Sequence, residues 1–231
     1  LMMNVQADSC NRSITGNFTS QGPELVQAGT VSGGTGSVAY LVPWGSAPAV
    51  RFLTNALRQG LDIKSSDKAF THSGRRYPAG TLIVDVADNP DTLSDTVAGL
   101  AATTGADVVS VNNSWVTDGP NFGSGNVLRF NQPRVAIAWD LPTSSYSAGN
   151  TRFVIERQFD FPVTAIRVAQ LKGSDLSRYQ VLILPEAGWG GSYAEALGEK
   201  GTANLKDWVE KGGVLIGLGS ANRYLADPEI D

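Results

Sequence analysis

The chain has 231 residues, which suffices for one large domain or two small ones, because a single hydrophobic core usually serves about 100 to 200 residues. Lys and Arg number 18 and Asp and Glu 22, so a formal charge of −4 gives no net attraction to nucleic acid or to an anionic membrane. The one cysteine, Cys10, excludes an intrachain disulfide, and the one histidine, His72, excludes any two-histidine metal site within the chain.

The first part of the chain is predicted to hold a polar segment and then a small α/β lobe. Residues 1–36 are rich in Gly, Ser, Thr and Asn, which indicates a linker or edge segment, and they begin like an excised fragment rather than a signal peptide. Residues 37–131 are predicted to form the lobe. It opens with a β-α-β unit around a helix at 47–59, and a hairpin-like excursion follows at 70–77. Residues 112–132 are dense in Asn, Gly and Ser, which favours a loop that connects two lobes.

The second part, residues 132–231, alternates apolar strand-sized runs with helical patterns. Its predicted strands are RVAIAWD, FPVTAIRV, YQVLILP and VLIGL, and its predicted helices run from Ser144 or Ser147 to Phe159 and from Thr202 to Lys211. This order predicts a mainly parallel, doubly wound sheet with right-handed crossovers. No apolar run approaches the roughly 18 residues that cross a bilayer, so no membrane span is predicted.

The glycine-rich loop after YQVLILP is the strongest candidate for a binding site. Open α/β sheets bind ligands at the carboxyl ends of their strands, which is where this loop is expected. Glycines let backbone N–H groups approach an anion, Trp189 offers a stacking face, and Glu186 can act as an acid, a base or a cation ligand. The competing interpretation is an inherited tight turn whose aromatic side chain packs on a neighbour. The candidate ligand-binding residues in this loop are Glu186, Gly188, Trp189, Gly190 and Gly191.

Gly219 and Ser220, in the turn after VLIGL, complete the candidate site. The turn nearly matches a dinucleotide-binding fingerprint, but Asn222 stands at the position of its third glycine. Ser220 has no histidine near it in sequence to activate its hydroxyl, so the pattern predicts a helix N-cap.

Two further polar groups have a functional and a structural interpretation. His72 lies in a basic turn with Arg75 and Arg76, which could hold an anion, although a solvated hairpin tip is the preferred interpretation. Asp85, Asp88 and Asp91 suggest a calcium loop, but they lack the acidic ligand set of an EF-hand, so turn and cap roles are predicted for them.

The segment from Leu182 to Leu197, with the following LKDWVEKGG and VLIGLGSAN, resembles the class I glutamine amidotransferase-like fold, which is a flavodoxin-like arrangement. In that family a strand ending in Pro leads into a loop that helps to build an oxyanion hole, and a later strand carries a nucleophilic cysteine. The resemblance places Gly219 at the position of that cysteine. It also implies a domain truncated at its C-terminus and without the catalytic triad.

The order of AYLVPW, FTHSGRRYPAGTLIV, RVAIAWD, FVIERQFDFPVTAIR and LILPEAGWGG is similar to the C-terminal region of large bacterial zinc carboxypeptidase-like proteins. That resemblance implies an upstream carboxypeptidase A-type catalytic domain on the same polypeptide, which would hold the zinc ion, since this chain has no matching zinc-binding motif. No cofactor is expected in this part of such a protein. A secreted or periplasmic location is the expectation for the parent.

Three functional hypotheses follow. The first is a non-catalytic accessory domain of a zinc carboxypeptidase-like metallopeptidase, serving in substrate positioning, docking or homo-oligomerisation. The second is a small-ligand domain that binds an anion or a sugar at the loop from Glu186 to Gly191. The third is an independent hydrolase that uses Ser220 or Glu186, and it ranks last because neither residue has an evident catalytic partner.

Overall fold

The computed structural model describes residues 11–13, 15–17 and 27–227, and Cys10 lies outside them. The described chain combines helices with a parallel sheet and mixed or antiparallel sheets, which confirms the predicted α/β class. In the first part the elements are β1 (Val31–Ser32), β2 (Ala39–Val42), α1 (Ala47–Arg58), β3 (Lys64–Ser66), β4 (Phe70–His72), β5 (Arg75–Tyr77), β6 (Leu82–Asp85), α2 (Leu93–Thr104), β7 (Val108–Val111), β8 (Val116–Asp118) and β9 (Val127–Arg129).

The first part forms a six-stranded sheet in the order β1-β7-β2-β6-β3-β9, and β5-β4-β8 form a small second sheet. In the larger sheet only β1 and β7 pair in parallel, and the other neighbours are antiparallel. The predicted β-α-β unit is present in a split form. β2 and β3 share one direction across α1, but β6 lies between them and is antiparallel to both.

Helix α1 begins where the sequence places its strongest start signal. The Ser46 side chain accepts a hydrogen bond from the Ala49 amide at 3.3 Å, and Pro48 occupies the first turn, where its missing N–H costs nothing. The apolar face of the helix then buries Phe52, Leu53 and neighbouring residues against the sheet.

The prediction of a connecting loop at 112–132 is wrong. β8 pairs with β4 and β9 pairs with β3, so both strands complete sheets of the first part. Each strand has three residues and lies at a sheet edge. These segments form strands because a neighbouring sheet edge is available to pair with them. The amino-acid composition of a segment does not reveal whether such an edge is present.

The second part has the elements β10 (Val135–Trp139), α3 (Ser145–Phe153), a π-helix (Val154–Gln158), β11 (Val163–Arg167), α4 (Val168–Leu171), β12 (Val181–Leu184), α5 (Tyr193–Glu210), β13 (Val214–Gly217) and α6 (Ala221–Leu225). Its four-stranded sheet has the order β11-β10-β12-β13, and every pairing is parallel, as predicted. Helix α5 begins nine residues before the predicted start. It continues across a kink at Gly198, whose φ of 59° is non-helical.

The buried apolar residues form separate clusters on either side of residue 131. The larger sheet of the first part is covered on both faces by clusters drawn from residues 31–127. The second sheet packs one face against a large cluster from residues 136–224 and the other against a small cluster around Ile137, Val163 and Ile183. None of these clusters contains residues from both parts.

Polar contacts join the two parts where α1 meets the turn after the π-helix. Arg51 Nε donates to the Gln158 carbonyl oxygen at 3.0 Å, and Thr54 Oγ1 donates to the Phe159 carbonyl oxygen at 2.6 Å. Arg58 forms an ion pair with Asp160 and donates to its carbonyl oxygen. Most of these side chains are solvent-accessible, so the contact is a small polar interface of the kind that permits relative motion.

Candidate functional site

The candidate loop lies where the sequence predicts it, at the carboxyl end of β12 between its neighbours β10 and β13. It extends from Pro185 to the start of α5. That helix is capped by Ser192, whose hydroxyl accepts a hydrogen bond from the Glu195 amide at 3.3 Å. The loop therefore occupies the edge at which parallel α/β sheets bind their ligands.

The segment after β10 braces the loop along its length. The Gly188 amide donates to the Pro142 carbonyl oxygen at 2.7 Å, and the Ser144 amide donates to the Glu186 carbonyl oxygen at 2.8 Å. Between these bonds Thr143 and Ala187 form an isolated antiparallel bridge. Two neighbouring turns are thus fixed to each other by their backbones.

Two serine hydroxyls hold the first residues of the loop. Ser147 Oγ accepts a hydrogen bond from the Glu186 amide at 3.0 Å, and Ser220 Oγ accepts one from the Ala187 amide at 3.1 Å. Helix α6 begins directly after Ser220, as predicted, but the prediction that its side chain caps the helix is wrong. The hydroxyl faces the loop instead, where it accepts the hydrogen bond of the Ala187 amide, a backbone donor that must be paired when it is removed from water.

The close approach of Gly219 to Glu186 brings together two of the predicted site residues. The φ of Gly219 is +54°, and a Cβ at this position would lie 3.1 Å from Glu186 Cδ. Any other residue would push the carboxylate aside and would strain the backbone. The Glu186 side chain remains exposed at the rim of the site.

Most amides of the loop are engaged within the protein. Those of Glu186, Ala187, Gly188 and Gly191 donate to Ser147, Ser220, Pro142 and Gly188 respectively. An anion bound by the loop would have to displace these hydrogen bonds. At these four residues no backbone N–H group is therefore free to donate to an anion, as the predicted mode of binding requires.

Trp189 projects from this rigid loop into solvent, and its side chain is fully exposed. The competing interpretation, in which the aromatic side chain packs on a neighbour, is therefore wrong. Leu141 beside it is 83% exposed, and Tyr146 in the first turn of α3 is 84% exposed. An open depression of about 410 Å³ is lined by Leu141, Pro142, Trp189, Gly190, Gly191, Ser192, Glu195 and Ala196.

A buried tyrosine supports the base of the loop. Tyr193 OH donates to the Pro185 carbonyl oxygen at 2.8 Å and lies 3.2 Å from Thr143 Oγ1. Burial raises the pKa of the Tyr193 phenol, and the hydrogen bond with Thr143 opposes that shift. The sequence interpretation did not include Thr143, Ser147 or Tyr193 in the site. The available sequence signal for them was the pair Leu141-Pro142 and the serines that follow it, after the first strand of the second lobe.

His72 is buried at the end of β4 and is not solvated, contrary to the preferred prediction. Ser73 and Gly74 form the hairpin tip, and His72 is 2% exposed on β4, where its ring stacks on Phe122. Its Nε2 lies 2.9 Å from the Asn113 carbonyl oxygen, which can only accept, so Nε2 carries the proton. Nδ1 is buried without a hydrogen-bond partner. The histidine is part of the core of the first lobe.

Two of the three aspartates predicted for turns and caps, Asp85 and Asp88, surround a lysine, and Asp91 is exposed. Lys64 Nζ donates to Asp85 Oδ2 at 2.6 Å and to Asp88 Oδ2 at 2.7 Å. Burial lowers the pKa of the Lys64 ammonium, but the hydrogen bonds and charges of both aspartates outweigh it and raise that pKa overall. The hydrogen bond from Lys64 also lowers the pKa of Asp88. The group is a partly exposed charge network at the end of β6, and Arg129 joins it through Asp88.

Searches with family models, curated proteins and solved structures found no match for this chain. Over the residues that the structure describes, no three His, Cys, Asp or Glu side chains are grouped so that they could hold a metal ion. None of the described helices combines the length and the apolar character that crossing a membrane requires.

Proposed function

We propose that the chain is a non-catalytic accessory module of a zinc carboxypeptidase-like protein, and that it positions substrate through the exposed Trp189 loop of its second lobe. The zinc ion and the peptidase chemistry belong in this proposal to an upstream domain. The observation that carries the non-catalytic role is the bonding of Ser220, whose hydroxyl is held by Ala187 directly after Gly219, the position at which the resembling enzymes have their nucleophilic cysteine.

The topology of the second lobe supports a flavodoxin-like, amidotransferase-like arrangement. Numbered along the chain within the second lobe, its strands lie in the order 2-1-3-4. Doubly wound folds of the flavodoxin type have the order 2-1-3-4-5, and they bind ligands at the carboxyl ends of their strands. The braced loop at the end of β12 lies on that edge, which is where a module of this ancestry would contact a substrate.

Turnover measurements test the non-catalytic role. We expect the chain to show no glutaminase or peptidase activity above background, with E186Q and S220A indistinguishable from the parent sequence. Activity that purifies with the protein and disappears in either variant would overturn the proposal. In the complete carboxypeptidase-like protein, W189A should raise KM and leave kcat unchanged, because the indole would contact substrate away from the reacting atoms.

A second candidate that the geometry favours is a neutral saccharide as the ligand of this loop, in place of a peptide substrate. An indole face that is open to solvent stacks on the C–H face of a sugar ring, and Glu195, which belongs to the lining of the depression beside Trp189, can accept hydrogen bonds from sugar hydroxyls. An anion is the weaker candidate because four of the loop amides are engaged and Glu195 is acidic.

Titration with cellotriose and chitotriose, followed by protein NMR, tests this assignment. We expect saturable shifts of the resonances around Trp189 and Gly190, and their loss in W189A. The matched control is W115A, because Trp115 is a second highly exposed tryptophan that lies in the first lobe. No saturable shift with either sugar, or equal binding by W189A and W115A, would refute the saccharide assignment while leaving the turnover test unaffected.

A further inference from the structure

A second depression lies at the opposite edge of the parallel sheet, where β10, β11 and β12 begin. It has a volume of about 560 Å³, and its lining includes Gln132, Arg134, Thr164, Arg178 and Tyr179 together with two prolines. Arg134 directly precedes β10, and Arg178 and Tyr179 lie just before β12. This edge is separate from the Trp189 loop, which stands at the carboxyl ends of the same strands.

Positive charge dominates this depression. Two guanidinium groups, those of Arg134 and Arg178, belong to its lining, which contains no Asp or Glu. No ion pair to either arginine is found among the residues that the structure describes, although other arginines there do pair with acids.

Hydrogen bonds hold the side chain of Arg178 and the backbone of Arg134, and neither bond pairs a guanidinium group with a carboxylate. Arg178 donates to Tyr179 OH at 3.1 Å, and its guanidinium carbon lies 5.2 Å from the centre of that ring. The nearby carboxylate of Asp175 accepts a hydrogen bond from the Ser177 amide at 2.9 Å. The Arg134 amide donates to Gln180 Oε1 at 2.8 Å, which fixes the backbone that carries the second guanidinium.

We propose that this depression binds an oxyanion, either a phosphate or a carboxylate group of a small ligand, between the side chains of Arg134 and Arg178. The planar fork of a guanidinium matches the paired oxygens of these groups and forms charge-assisted hydrogen bonds with them. The Thr164 hydroxyl and the Gln132 amide supply further donors at the same site. The volume falls within the range of small-molecule sites, so the ligand can be larger than the anionic group itself.

The proposal is tested on the 231-residue chain with inorganic phosphate and with citrate, each at constant ionic strength adjusted with sodium chloride. Binding is followed by calorimetry and by the NMR resonances of the arginine Nε–H groups. We expect saturable binding of at least one probe, with shifts at Arg134 and Arg178. The stronger probe distinguishes a phosphate ligand from a carboxylate ligand.

Matched variants give the decisive comparison. R134Q and R178Q should each weaken binding roughly tenfold, because each removes charge-assisted hydrogen bonds to the anion. R223Q should bind like the parent sequence, since Arg223 is an exposed arginine on α6 outside the depression. Circular dichroism confirms that each variant is folded. The proposal is overturned if neither probe saturates, or if R134Q and R178Q retain the affinity of R223Q.

Discussion

The two lobes differ in where they place several of their polar and aromatic side chains. In the first lobe Lys64 is held by two aspartates and His72 is buried against Phe122, although Trp115 is exposed. The second lobe buries Trp208 but leaves Trp189 fully exposed at one end of its sheet, and at the other end Arg134 and Arg178 form no ion pair among the described residues. A polar group that is satisfied internally stabilises a fold, whereas one left exposed on a rigid support is available to a ligand. This contrast is the reason that both proposed binding sites lie in the second lobe.

The sheets of the two lobes also differ in how completely they are covered. Both faces of the larger sheet in the first lobe are covered by buried clusters, and its central strand β2 is completely buried. In the second lobe, the edge strand β13 leaves Val214 and Ile216 40% or more exposed on one face. The first lobe is thus the more completely enclosed of the two.

Core truncations test whether the lobes are separate folding units, and they have the largest expected effects. Phe52 in the first lobe is fully buried, so F52A should cost about 3 to 5 kcal/mol of unfolding free energy, and L182A in the second lobe about 2 to 5 kcal/mol. Because the buried clusters do not cross residue 131, we expect each variant to lower only one of two calorimetric transitions.

The outcome that contradicts two units is a single transition that both F52A and L182A lower together. The polar contacts of α1 with residues 158–160 would then couple the lobes as strongly as a shared core.

The sequence predicts the central strands and the position of the candidate loop because apolar runs such as those of β2 and β12 are typical of strands buried on both faces. It does not predict β8 or β9, whose three residues gain their structure from a neighbouring edge. The burial of His72 was missed for a similar reason, since a three-residue strand cannot reveal which face meets Phe122. The Trp189 loop was found, but its brace from Pro142, Ser147 and Ser220 depends on contacts between distant segments.

The charge network of the first lobe gives the next largest effect. K64M should lower the unfolding free energy at pH 7 by about 1 to 2 kcal/mol, because it leaves Asp85 and Asp88 together without their shared cation. The lowered pKa of Asp88 contributes stability that is present above the carboxyl pKa of the unfolded chain, about 4, and is lost as pH falls through the folded value. The raised pKa of Lys64 contributes stability that is lost above about pH 10.4.

Urea unfolding between pH 3 and pH 8 measures this dependence. The difference between K64M and the parent sequence should shrink as pH approaches 3. K68M is the control, since Lys68 is exposed nearby and should show no comparable pH-dependent loss. A constant difference across the range would mean that Lys64 acts through packing and not through its charge.

The brace of the candidate loop has a smaller effect on stability. S220A removes the acceptor of the Ala187 amide and should cost about 1 kcal/mol. The same change should speed hydrogen exchange at the Ala187 amide, because that group loses its bond at 3.1 Å. S114A, at an exposed serine of the first lobe, should leave both quantities unchanged. Unaltered exchange at Ala187 in S220A would show that the Ser220 hydroxyl does not protect this amide.

The smallest expected effect on stability comes from the residue with the largest expected effect on binding. W189A should change the unfolding free energy by less than about 0.5 kcal/mol, because a fully exposed indole loses little when the chain unfolds. Trp208 in the same lobe is the contrasting case. It is 6% exposed and donates to the Tyr179 carbonyl oxygen at 3.1 Å, so W208A should cost about 3 to 5 kcal/mol. If W189A destabilised the lobe as much as W208A, the Trp189 indole would contribute to the stability of the fold. The contrast between buried and exposed side chains would then not hold for the most exposed residue of the second lobe.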